Sequence, residues 1–127
     1  MIALVATVEG VVTVDLETGE TGPGTPLPER PRPTLNLPRI VAAAAEGSTV
    51  VAVVEARPPM LVSHDSGATW RESGRGLPPG FAVAISPDDL DLLLYAARNR
   101  LFVSRNGGVF WTALPDELPD ITAVSFG

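Results

Sequence analysis

Residues 63–70 read Ser-His-Asp-Ser-Gly-Ala-Thr-Trp (SHDSGATW), directly after an apolar run that ends at Val62. A polar turn that leads straight into a Trp stands out where aromatic residues make up only 6% of the chain. The pattern returns: VSRNGGVFW at 103–111 matches VSHDSGATW at 62–70, and VDLETGETG at 14–22 is a weaker third copy. That third copy keeps Val14, an acid at Glu17, Gly19 and Thr21, but has Gly22 in the place of Trp. The anchoring valines at 14, 62 and 103 are separated by 48 and 41 residues. Stretches led by Leu-Pro repeat alongside them: LPRIVAAAA (37–45), LPPGFAVAIS (77–86) and LPDITAVSF (118–126). A period near forty residues is the signature of a repeat architecture.

The segments between these landmarks read as strands. Short β-branched runs occupy 2–8, 10–15, 39–45, 48–56, 60–63, 69–73, 81–86, 90–97, 100–104, 109–113 and 121–126. Gly, Pro, Asp and Asn separate them. No 3.6-residue apolar stripe is present; the Ala42–Ala45 run is bracketed by Pro38 and Gly47 and is too short for a stable helix. The prolines fall almost wholly between runs, where a missing N–H costs no ladder bond. Three units of about forty residues and four strands each have the size of propeller blades.

The recurring stretch resembles the Asp-box, or BNR, repeat (Ser-x-Asp-x-Gly-x-Thr-Trp) of sialidase-like and photosystem-assembly-type β-propellers. Ser63, Asp65, Gly67, Thr69 and Trp70 match it at all five positions; Ser104, Asn106, Gly108 and Trp111 form a partial copy with Phe110 in place of Thr. The resemblance spans the chain and is informative about architecture only. It implies a hairpin turn between the third and fourth strands of a blade. There an Asp or Asn side chain accepts backbone N–H bonds, Gly supplies positive φ, and the Trp fills the space between neighbouring sheets. These residues are therefore read as structural. A calcium ion at Asp65 is the alternative, and one carboxylate supplies too few oxygens for it.

The expected fold is all-β: a β-propeller of four-stranded blades, three blades per chain. Blade 1 is split (121–127 plus 1–24), blade 2 is 38–73, blade 3 is 80–113, and a Pro-rich loop fills 22–36. Propellers have four to eight blades, so three cannot close a ring. The expectation is a head-to-tail homodimer that closes a six-bladed ring, each C-terminal strand completing the other chain's first blade. Three chains with nine blades, or a fragment of a longer protein, are the alternatives.

Composition narrows the function classes. The chain has 127 residues, enough for one domain, with 45% apolar and 19% charged residues. It has no Cys, hence no disulfide framework and no thiol chemistry. The opening MIALVATVEG lacks a basic flank and breaks at Glu9, so it reads neither as a signal peptide nor as a membrane span. A cytoplasmic protein without a membrane role is expected. All nine cationic side chains are Arg, and the net charge of -6 argues against nucleic acid.

The charges sort by loop. Seven of the nine arginines fall on the loops between second and third strands and on the links between blades, together with six carboxylates. The opposite loops hold eight carboxylates and Arg105 alone. Arg57, Arg98 and Arg100 are the candidate ligand-binding residues, as forks for an anionic small molecule, a glycan or a protein partner. The alternative is that each simply pairs with a nearby carboxylate. The Pro-rich insertion would be a lid, an arm on the partner subunit, or packing.

No catalytic residue, metal or cofactor is expected. Sialidase-like catalysis, which the resemblance raises, needs an Arg cluster, a Tyr with a Glu partner and an acid. The single Tyr95 has Glu55 only near the wrong end of its strand, and the single His64 lies in a turn on the other side. Asp88, Asp89 and Asp91 read as a solvated turn. The functional expectation is a non-enzymatic scaffold that binds an anionic ligand or a protein partner on its Arg-bearing face. A glycan-binding or glycan-hydrolysing sialidase-like propeller is the runner-up.

Overall fold

In the computed structural model, which describes residues 1–29, 33–35, 37 and 39–126, the β-branched runs form twelve strands. They are β1 (Ile2–Thr7), β2 (Gly10–Asp15), β3 (Thr21–Pro23), β4 (Ile40–Glu46), β5 (Thr49–Val54) and β6 (Met60–Ser63), then β7 (Arg71–Ser73), β8 (Ala82–Ile85), β9 (Leu93–Ala96), β10 (Leu101–Ser104), β11 (Thr112–Ala113) and β12 (Ile121–Phe126). No helix occurs among the described residues. The strands build three antiparallel four-stranded sheets: β12-β1-β2-β3 (sheet I), β4-β5-β6-β7 (sheet II) and β8-β9-β10-β11 (sheet III).

Alternation along the strands decides how the sheets pack. In β9, Leu93 and Tyr95 point toward sheet II, where they join Val51, Val53, Met60 and Val62. Leu94 and Ala96 point the other way and join Ala3, Val5, Val14 and Phe126 of sheet I. Sheet III is therefore apolar on both faces and forms the middle layer. Each buried Leu or Val contributes about 1.5–3 kcal/mol through water released from its surface. The innermost strands line up as β4, β8, β12, and no strand of sheet I touches a strand of sheet II among the described residues. The three sheets form an open arc.

One expectation is corrected here. Residues 121–126 pair with β1 of the same chain, from Ala3 opposite Phe126 to Thr7 opposite Ile121. Within this chain the first sheet is completed by its own C-terminal strand. The physical reason is the link from β3 to β4. It runs over residues 24–39, sixteen in all, against eight between β7 and β8 and seven between β11 and β12. Sixteen residues reach up to roughly 50–58 Å. That is enough to carry the chain from the outer strand of one end sheet to the inner strand of the other. Leu27 and Pro28 of this link lie against β4, β8 and β12 on the inner side of the arc. Pro31, Asn36 and Pro38 of the link, with Arg30 and Arg32, lie outside the described residues, as does Gly127.

The three copies of the repeat are not in register. Val62 and Val103 each face the next sheet along the chain, whereas Val14 faces the preceding one. A slip of one residue turns a strand's side chains to the opposite face. Here the two-residue turn at Val8–Glu9 and the short hairpin closed by Asp15 N–H to Glu20 C=O (2.9 Å) reset the count.

Candidate functional site

Backbone bonds show which loops share an end of the sheets. Glu55 N–H donates to Arg39 C=O (3.0 Å), Leu118 N–H to Asn99 C=O (2.8 Å), and Val8 N–H to Asp120 C=O (2.9 Å). The β1–β2, β5–β6 and β9–β10 loops thus gather with the links between sheets. At the other end Ser66 N–H donates to Ser48 C=O (2.9 Å) and Gly107 N–H to Asp91 C=O (2.9 Å). The two ends are those across which the sequence sorts its charges.

The three candidate arginines do not converge. Arg98 Nε lies 3.2 Å from Asp120 Oδ1, and Arg100 reaches Glu117 Oε1 at 3.4 Å. Both pairs join a β9–β10 loop residue to the link that follows β11. They are exposed and contribute at most about 1 kcal/mol each. Arg57 is elsewhere. It sits with Ala56, Pro58 and Pro59 on one wall of a groove of about 610 Å³, whose other wall is Arg75, Gly76, Leu77, Pro78 and Pro79. Arg57 and Arg75 are exposed, and no carboxylate pairs with either among the described residues. Arg75 was not singled out from the sequence. The available signal is a Pro-Pro pair close to an Arg, present twice, at 57–59 and 75–79.

The walls are fixed from below. Val54 N–H donates to Pro59 C=O at 2.8 Å, which closes the β5–β6 loop. Tyr95, fully buried on β9, donates its hydroxyl to Pro78 C=O at 2.6 Å. Burial pushes its phenol up to about 12. Gly80 lies directly against the Tyr95 ring, and a Cβ there would collide with it. Leu77 reaches into the core between sheets II and III. Gly74, with φ at 85°, lets the two walls touch, since any Cβ there would press on Met60. The groove is thus a rigid trough with proline sides and two guanidinium groups free to bind.

The recurring turns lie at the opposite end and are internally satisfied. Asp65 accepts from Thr69 Oγ1 (2.6 Å), Thr69 N–H (2.9 Å) and Ser63 Oγ (2.7 Å), and Ser63 Oγ accepts from Gly67 N–H (2.8 Å). The Thr69 hydroxyl and amide, then the Ser63 hydroxyl, hold the Asp65 carboxyl down at about 2. The second copy repeats the wiring with an amide: Asn106 Oδ1 accepts from Phe110 N–H (2.9 Å) and Ser104 Oγ (3.0 Å), and Ser104 Oγ accepts from Gly108 N–H (2.9 Å). In the first copy Asp15, not Glu17, takes that role by accepting from Glu17 N–H (2.9 Å) and Thr18 N–H (3.1 Å). Glu17 instead pairs with the Met1 amine at 2.9 Å.

The two Trp residues differ. Trp111 Nε1 donates to Ser73 Oγ (2.9 Å) across the joint between sheets II and III, and its ring meets Tyr95 edge-on at 5.9 Å. Trp70 is half-exposed, packs over Gly67, and makes no such bond among the described residues. His64 Nδ1 lies 3.4 Å from Thr49 Oγ1, remote from the groove. Asp88 and Asp89 donate their amides to Ser86 Oγ (3.3 Å each) in a surface turn.

No protein-family model and no curated protein matches the chain. A crystal structure of the GH74 enzyme of Niastella koreensis is similar in fold, with a TM-score of 0.53 and 23% identity. The match covers 68% of this chain and 14% of that one. GH74 enzymes are β-propellers, so the likeness is to a propeller-like, all-β arrangement.

Proposed function

We propose that the chain is a half-propeller scaffold, its sheets acting as blades and its Ser-Asp-Gly-Trp turns as structural Asp-box corners. It binds an anionic ligand in the groove between residues 56–59 and 75–79 without transforming it. One observation carries this reading: Arg57 and Arg75 share a groove and have no carboxylate partner among the described residues, whereas Arg98 and Arg100 are each held by one. Unpaired guanidinium groups bind carboxylate or phosphate through two parallel N–H bonds. The proline and Leu77 surface between them suits the flat apolar body of such a ligand. The same distribution counts against the glycan-hydrolase reading, which needs the arginines clustered and Tyr95 accessible. Tyr95 is buried and committed to Pro78.

The test is a thermal-shift titration with phosphate, citrate and glucuronate. A ligand at a hundred times its Kd stabilises by about 2.7 kcal/mol. Arg57→Ser and Arg75→Ser should each abolish the shift, and Arg98→Ser should leave it unchanged. A shift insensitive to Arg57 and Arg75 refutes the site.

A further inference from the structure

Among the described residues, the arc leaves two sheet faces without a neighbouring sheet. Each joint within the chain brings the leading face of one sheet against the trailing face of the next, II to III and III to I. The leading face of sheet I and the trailing face of sheet II meet no other sheet among the described residues. Register identifies them. In sheet II, Ala43, Ala52 and Leu61 stand opposite one another and face away from sheet III. In sheet I, Ala6, Val11 and Ala123 do the same. Ala43, Leu61, Ala6, Val11 and Ala123 are all half-exposed and Ile2 is 39% exposed, while Ala52, Val50, Val54 and Leu4 on the central strands of the same faces are already buried among their neighbours. Over the three inner strands neither face holds a charged side chain, except Asp15 at the end of β2. That carboxylate is turned back onto its own loop amides.

A second observation is Trp70. It precedes β7 as Trp111 precedes β11, and Trp111 spans the joint to the preceding sheet. Trp70 stands at the matching place on the free face of sheet II, its indole N–H without a partner among the described residues. A buried Trp finds a partner for that N–H.

We propose that a second copy of this chain supplies both missing neighbours. Its sheet I docks on sheet II, and its sheet II on sheet I, through two identical seams related by a two-fold axis. Each seam repeats the internal joint, with Trp70 reaching the outer strand β3 of the other copy. Six sheets then close a ring, within the range known for propellers. Every β12 stays in its own chain, so the seams are side-chain contacts between sheet faces and involve no exchanged strand. Two apolar faces that would otherwise meet water are covered.

Light scattering or sedimentation at micromolar concentration should give twice the 13.3 kDa chain mass. Ala43→Glu and Ala6→Glu, which place a charge in each seam, should each give a particle of 13.3 kDa with an unchanged β-sheet circular dichroism spectrum. Ala43→Glu combined with Ala6→Arg in one chain should restore the dimer. If the Glu variants unfold, Trp70→Ala provides the second reading: a dimer dissociation constant raised about ten-fold or more, at unchanged secondary structure. A monomeric parent, an open-ended assembly, or a dimer indifferent to all of these substitutions overturns the proposal.

Discussion

Asp65 shows how much a single carboxylate can organise. It accepts from two hydroxyls and one amide within seven residues, and these bonds favour its charged form. Its folded-state value of about 2 lies below the ordinary 3.8. The carboxylate therefore stabilises the fold fully above pH 3.8 and progressively less as pH falls toward 2. The stability gap between the parent and Asp65→Asn, from urea unfolding, should be constant above pH 4 and shrink below it. Tyr95 gives the opposite limb. Its phenol is held neutral up to about 12 against an ordinary 10.0, so its contribution is complete below pH 10 and lost as pH rises through 12. Tyr95→Phe should flatten alkaline unfolding in that window. It should also loosen the Pro78 wall of the groove and weaken anion binding. The Asp65 turn was legible in the sequence, because its bonds are local and residue spacing fixes them. The partner of Tyr95 was not, because Pro78 and Tyr95 meet only once two sheets have packed.

At the level of strands, the eleven runs read from the sequence all form, with ends shifted by at most three residues, and the short β3 is a twelfth. Alternation and turn residues are local signals. The pairing of β12 was not legible, because it depends on the reach of the 24–39 link and not on the strands it joins. The same strand order within a sheet fits either one chain or two. A cysteine pair decides between them. Ala6 and Ala123 stand opposite each other on β1 and β12, and the chain contains no other Cys. Ala6→Cys with Ala123→Cys should oxidise to a bond within one chain, so the denatured, non-reduced mass stays at 13.3 kDa. A disulfide-linked dimer would mean that strands are exchanged after all. The arginines teach a similar lesson. Loop membership was readable from sequence, and it correctly puts Arg57 and Arg75 at one end. Which arginines neighbour which carboxylates was not, and Arg98 and Arg100 are spoken for by the link that precedes β12.

For the molecule as a whole, the arc makes stability and association the same question. Among the described residues, sheet III packs against a sheet on both sides, and sheets I and II on one side each. With the two seams of the proposed ring closed, the melting temperature rises with protein concentration. Substitutions in the middle layer, such as Leu94→Ala, should cost about 2–5 kcal/mol whatever the association state. The closure of sheet I also has a kinetic side. Strand β1 is synthesised some 120 positions before its neighbour β12. Until that late segment emerges, β1 offers a bare row of amides and carbonyls along one flank, the kind of template on which nascent chains stick to one another. Synthesis is therefore a stage at which this protein is open to misassembly, and a holdase that shields β1 during translation would lessen it.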